Sequence, residues 1–131
     1  MFLTACLTIE TDDVEALGAF YIETLGFKQR FRKGDWLELE VAGTRIALRE
    51  RPLGRSSETT TTPQGGNGAL LGLQSELPLS VLAKKLKERG LTLESCPHVD
   101  AEAGVELLFF QDPQGNRGYF WRLSDGIRDA S

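Results

Sequence analysis

Hydrophobic and polar positions change period several times along the chain. In residues 3–10, LTACLTIE, the apolar Leu3, Ala5, Leu7 and Ile9 alternate with Thr4, Cys6, Thr8 and Glu10, which predicts a half-buried strand. The period then lengthens. Val14, Leu17, Tyr21 and Leu25 recur at helical spacing after TDD, which offers an N-cap, with Glu15 three residues beyond Asp12 in a capping-box arrangement. Gly26 supplies the stop. Alternation returns in FKQRF, in WLELEV (36–41, with Leu37, Leu39 and Val41 on one face) and in TRIALRE after an Ala-Gly turn.

Residues 51–67, RPLGRSSETTTTPQGGN, break the pattern with Pro, Gly, Ser and Thr and read as a linker or lid, or as a plain connector. Beyond them the order recurs. GALLGLQS is a short strand. ELPLSVLAKKLKERG is an amphipathic helix with Leu79, Leu82, Ala83 and Leu86 on one stripe, stopped by Gly90. LTLES, GVELLFFQ and NRGYFWRL are three further strands, and DPQGN between the last two is a tight turn in which Pro113 and Gly115 suit their positions. Strand, helix and three strands therefore occur twice, which points to internal duplication. The predicted class is α+β: two βαβββ modules form a cup-shaped, mostly antiparallel sheet with helices on the outer face. One domain spans 1–131, with module 1 over about 1–50, module 2 over about 68–124 and a tail at 125–131.

Composition narrows the partners. Fifteen basic against nineteen acidic residues give a net charge of −4, which argues against nucleic acid or an anionic membrane as the main partner. The basic run FKQRFRKG reads as a solvated strand face. No apolar run approaches the ~18 residues of a membrane span, and MFLTACLTIETDD lacks a basic n-region, so neither a span nor a signal peptide is expected. Cys6 and Cys96 imply no disulfide framework, and a reducing cytoplasm is the expected compartment.

Two stretches carry a family resemblance. DDVEALGAFYIETLGFKQ, above all its FYIETLGF, resembles the first helix of the vicinal oxygen chelate superfamily: glyoxalases, extradiol dioxygenases, fosfomycin-inactivating enzymes and bleomycin resistance proteins. FFQDPQGNRGYFW resembles that family's closing hairpin, in the same order and spacing. The resemblance implies a cup that, in catalytic members, holds a divalent metal through histidines and a glutamate. Those ligand positions fall here at Cys6, at Ala69 or Leu71, and at Tyr119. A thiol, an aliphatic side chain and a phenol do not make a divalent site, so neither metal nor cofactor is expected. His98, the chain's one histidine, reads as a loop residue after Cys96 and Pro97. Glu10, Glu38 and Glu40 read as solvated or paired with Arg45 and Arg49, the alternative being a metal site or a general base.

What remains is an aromatic set: Trp36 beside Glu38 and Glu40, Tyr119 and Trp121 beside Arg117, with Leu71 and Leu73 joining from the strand after the linker. Packing between modules or at a dimer contact is the competing account of those aromatics. The expected ligand-binding residues are Cys6, Thr8, Trp36, Glu38, Arg49, Leu71, Tyr119 and Trp121, with no catalytic residue. The resemblance thus implies a metal-free protein of the bleomycin-resistance type, a homodimer that sequesters a small molecule, aromatic molecules being the candidates the ring set suggests. The alternatives are an enzyme of the family with a non-standard site, and a ligand-free structural or regulatory module.

Overall fold

The computed structural model describes residues 1–51 and 70–124, so most of the expected linker and the tail at 125–131 lie outside the described residues. The chain divides into two compact units, Met1–Thr60 and Thr61–Ser131.

In the first unit β1 (Leu7–Thr11) leads into α1 (Val14–Ala19), which continues as a π-helical turn, Phe20–Thr24. Three strands follow: β2 (Lys28–Lys33), β3 (Trp36–Val41) and β4 (Thr44–Glu50). The sheet order is β1-β4-β3-β2, with β1 parallel to β4 and the other pairs antiparallel. The helix start differs in detail from the sequence reading. Asp13 is the N-cap, its Oδ1 accepting from the Ala16 amide at 3.0 Å, while Glu15 turns outward to pair with Arg32. The stop is as expected: Gly26 takes φ +81°, and the Phe27 amide donates to the Tyr21 carbonyl at 2.9 Å. Phe27 thereby drops into a core with Leu17, Tyr21, Leu37, Leu39, Ile46 and Leu48, all buried. Gly18 lets α1 close on β3, since a Cβ there would stand 2.5 Å from a Leu37 methyl.

The expected strand at 3–10 is shorter at its start. Pairing begins at Leu7 opposite Ile46, and residues 1–6 are exposed. Alternation marks a strand only where a partner backbone lies alongside, and among the described residues β1 finds one in β4 from Leu7 onward.

The second unit repeats the plan: β5 (Leu71–Gln74), α2 (Leu79–Glu88), β6 (Thr92–Leu93), β7 (His98–Asp100), β8 (Val105–Gln111) and β9 (Arg117–Leu123). Its sheet runs β5-β9-β8-β6, with β7 also pairing to β8 and β5 parallel to β9. Thus β6 and β7 share the flank of β8 that a single β2 fills in the first unit's plan. His98 consequently sits in a strand, opposite Leu107, and not in the expected loop. Leu79, Ala83 and Leu86 of α2 are buried, as are Leu108, Phe110 and Phe120; the last two rings stack at 4.8 Å. Gly90 (φ +91°) again sets the residue after it, Leu91, into the core.

The DPQGN turn is organised by its aspartate. Asp112 is buried, and its Oδ1 accepts from the amides of Gln114 (2.8 Å) and Asn116 (2.9 Å). The Asn116 side chain donates to Oδ2 at 2.8 Å, and Gly115 closes the turn at φ +86°.

Candidate functional site

Strand register assigns every candidate but Cys6 to a face. On β3, Leu37 and Leu39 sit opposite Leu48 and Ile46 of β4 and point to the helix. Trp36, Glu38 and Glu40 therefore share the other face with Arg49, Ala47 and Arg45. Thr8 and Glu10 join them, in register with Ala47 and Arg49.

This first-unit face is a mosaic of paired charges around one indole. Arg45 reaches Glu38 at 3.6 Å, and Arg49 reaches Glu10 at 3.9 Å. Arg30, at a bulge between Gln29 and Phe31, reaches Glu40 at 2.6 Å and Glu38 at 3.9 Å. The carboxylates weighed as base or metal ligand are thus matched by guanidinium groups: Glu38 and Glu10 by Arg45 and Arg49, as the paired reading has it, but Glu40 by Arg30, which that reading does not name. Trp36, half-buried, lies opposite Arg49. Cys6 precedes β1 and is exposed, its Sγ 3.6 Å from the Leu7 carbonyl.

On the second sheet the same logic corrects one assignment. Leu71 and Leu73 of β5 are in register with Gly118 and Phe120, which face the helix, so neither joins Tyr119 and Trp121. The β5 residues on that open face are Gly72 and Gln74. A single-residue step exchanges faces, and the apolar pair at 70 and 71 hides which parity holds. Gly72 has a specific use: a Cβ there would come within 2.5 Å of Tyr119 Cζ and Oη, so the phenol lies across a strand with no side chain to lift it.

The ring of Tyr119 meets Phe109 of β8 at 5.7 Å, and Phe109 meets His98 of β7 at 6.1 Å with the two planes only 11° apart. The Arg117 guanidinium carbon stands 4.6 Å from the Phe109 centroid. Its Nε and Nη2 donate to the two carboxylate oxygens of Glu94 at 2.7 and 2.9 Å, and Gln111 donates to the same group at 3.4 Å. The Arg117 hydrogen bonds hold the Glu94 carboxyl below its ordinary value, and Glu94 in turn raises Arg117. Trp121 and Leu107, half-buried and mutually in register, extend the face. Phe109, His98 and Glu94 were not among the sequence candidates. Strand β8 reads VELLFFQ, apolar on both faces, so alternation there carries no parity.

A divalent metal of the kind the resembled family holds does not fit these residues. Cys6 lies outside β1, Leu71 faces the helix and Tyr119 covers Gly72; Ala69 lies outside the described residues. Among the described residues, no three His, Cys, Asp or Glu side chains gather to hold an ion. A separate cavity of about 340 Å³ opens on the helix side of the second sheet, lined by Pro78, Ser80, Val99, Glu106, Arg122 and Ser124 among others, and none of the expected site residues lines it. No described helix is long and apolar enough to cross a membrane.

The architecture has solved counterparts. A glyoxalase/bleomycin resistance protein/dioxygenase from Nocardioides matches at a TM-score of 0.74 and 24% identity, over 96% of this chain and 86% of that one. The chain has the vicinal oxygen chelate fold. A protein of the same description from Alicyclobacillus acidocaldarius matches at a TM-score of 0.69 and 22% identity, over 94% of this chain and 92% of its own. An integron cassette protein from the mobile metagenome of V. cholerae matches at 0.67 and 22%, over 92% and 94%. No family model and no curated protein matches the sequence. At these identities the likeness concerns the fold, and the chemistry rests on the chain's own side chains.

Proposed function

We propose that this chain is a metal-free small-molecule-binding protein of the bleomycin-resistance type, holding its ligand against the aromatic face of the second sheet. The observation that carries the reading is Tyr119. It occupies the closing-strand position where catalytic members of the fold's superfamily place a metal-binding glutamate, and it lies across Gly72 beside Phe109. A ring in that place offers stacking surface and no charge for an ion. Half-buried rings with a few fixed polar groups are the material of small-molecule sites. The same reading keeps Trp36, on the first unit's own face, as a separate candidate contact and makes the protein a cytoplasmic homodimer of single-domain chains.

Metal analysis of protein purified without chelator or affinity tag tests the reading directly. The expected result is well under one equivalent of zinc, nickel, iron or manganese. A stoichiometric metal lost on mutating Glu10 or Glu38 overturns it. Tryptophan quenching by a panel of aromatic antibiotics and metabolites, repeated with Trp36→Phe and Trp121→Phe, then identifies which indole senses the ligand.

A further inference from the structure

The charge arrangement around Phe109 restricts what the second-sheet face accepts, and the argument rests on the binding reading above. Arg117 lies over the Phe109 ring, with its guanidinium carbon 4.6 Å from the centroid. An arginine beside a ring commonly marks recognition of an anion. Here, however, the guanidinium fork is already engaged: Nε and Nη2 both donate to Glu94, and Gln111 adds a further donor to the same carboxylate. An anionic ligand finds only the remaining Nη donors, on a guanidinium whose charge Glu94 already offsets through two hydrogen bonds. A cationic ligand would have to compete with that guanidinium both for Glu94 and for the π-face of Phe109. An uncharged ring has no charge to set against either member of the pair and gains nothing by parting them.

The geometry also suits a flat ligand. His98 and Phe109 lie 11° from parallel and offer one plane, and Tyr119, tilted 46° to Phe109 and paired with it in the β8–β9 register, forms a wall beside it. The ion pair bridges β9 to the segment just after β6, where the Glu94 amide also donates to the Phe109 carbonyl at 3.0 Å. It therefore fixes the backbone of Phe109 as well as the cation beside its ring.

We infer that the site selects an uncharged planar aromatic ligand, that Phe109 is its stacking platform, and that Glu94 and Arg117 form a positioning pair excluding charged analogues.

Three probes sharing one ring system separate the possibilities: 2-naphthalenemethanol, 2-naphthoate and 2-naphthylmethylammonium, each titrated by equilibrium dialysis against the full chain. The neutral alcohol is expected to bind about tenfold more tightly than either ion. Phe109→Leu should weaken the alcohol by about the same factor. Glu94→Gln releases Arg117 and should shift preference toward the carboxylate; Arg117→Gln releases Glu94 and should shift it toward the ammonium. Opposite shifts in two variants are not produced by a general loss of fold. Equal or tighter binding of either ion to the unmutated protein overturns the charge assignment while leaving the binding reading intact. No saturable binding of any probe overturns the platform itself, whereas failure of the broader reading appears separately, as stoichiometric metal.

Discussion

Asp112 shows how much one side chain governs locally. Its carboxylate gathers the amides of Gln114 and Asn116 and the Asn116 side chain, all in a turn where it is itself buried. Asp112→Ala leaves those donors without their acceptor and should destabilise the protein by about 1–3 kcal/mol, read as a lower urea midpoint with unchanged slope. The Glu94–Arg117 pair makes a different prediction, in pH. Glu94 has a folded-state pKa below its ordinary value, so its contribution is present above the unfolded glutamate pKa and is lost as pH falls through the lower, folded one. Both side chains are partly exposed, which keeps the contribution small. Glu94→Gln should flatten the acid limb of a stability-against-pH curve and leave its neutral and alkaline portions parallel to the parent's. An unchanged acid limb would show that other carboxylates set it.

At the level of elements, the close approach of β5, β9 and β8 depends on missing side chains. A Cβ on Gly118 would stand 2.5 Å from the Phe110 ring and 2.9 Å from the Leu71 carbonyl, and a backbone oxygen cannot rotate away. Gly118→Ala should cost about 1–3 kcal/mol by thermal or urea unfolding. Gly72→Ala meets only the end of the Tyr119 side chain. It should cost less stability and instead lift the phenol, visible as weaker binding of the neutral naphthalene probe. These elements also show where sequence reading reaches. WLELEV alternates, so the shared face of its glutamates and the arginines of TRIALRE follows from the letters, whereas the pairing of Glu40 with Arg30 appears only in the structure. LLGLQ and VELLFFQ do not alternate, so the parity that separates Leu71 from Tyr119, and the place of Phe109, appear only when partner strands are aligned. The three-residue β7 offers too short a pattern to mark His98 as a strand residue, and Glu94 meets Arg117 only through the pairing of β6 and β9 with β8.

For the molecule as a whole, the doubled plan was legible because both modules spell it with the same punctuation: a helix, a glycine at positive φ, then a buried residue, Phe27 in one and Leu91 in the other. What the assembly does with its apolar surface is a separate matter. Phe2, Leu3, Leu7 and Phe31 are exposed, and β1 and β2 are the outer strands of their sheet. Such edges favour pairing between chains. Light scattering across a micromolar range should therefore report a dimer, and a monomer at every concentration would count against the proposed assembly.

The parallel pairing of the first strand with the last, in both units, has a kinetic consequence. The backbone bonds that fix β1 come from β4, up to the Arg51 amide that donates to the Thr11 carbonyl at 2.8 Å, and β5 likewise waits for β9. Neither unit can complete its sheet while its final strand is still in the ribosome tunnel. Such non-local closure slows folding and prolongs the exposure of unpaired edges. A nascent chain arrested with β4 unmade should be readily cleaved by protease, and resistance should arrive in one step once residue 51 has emerged.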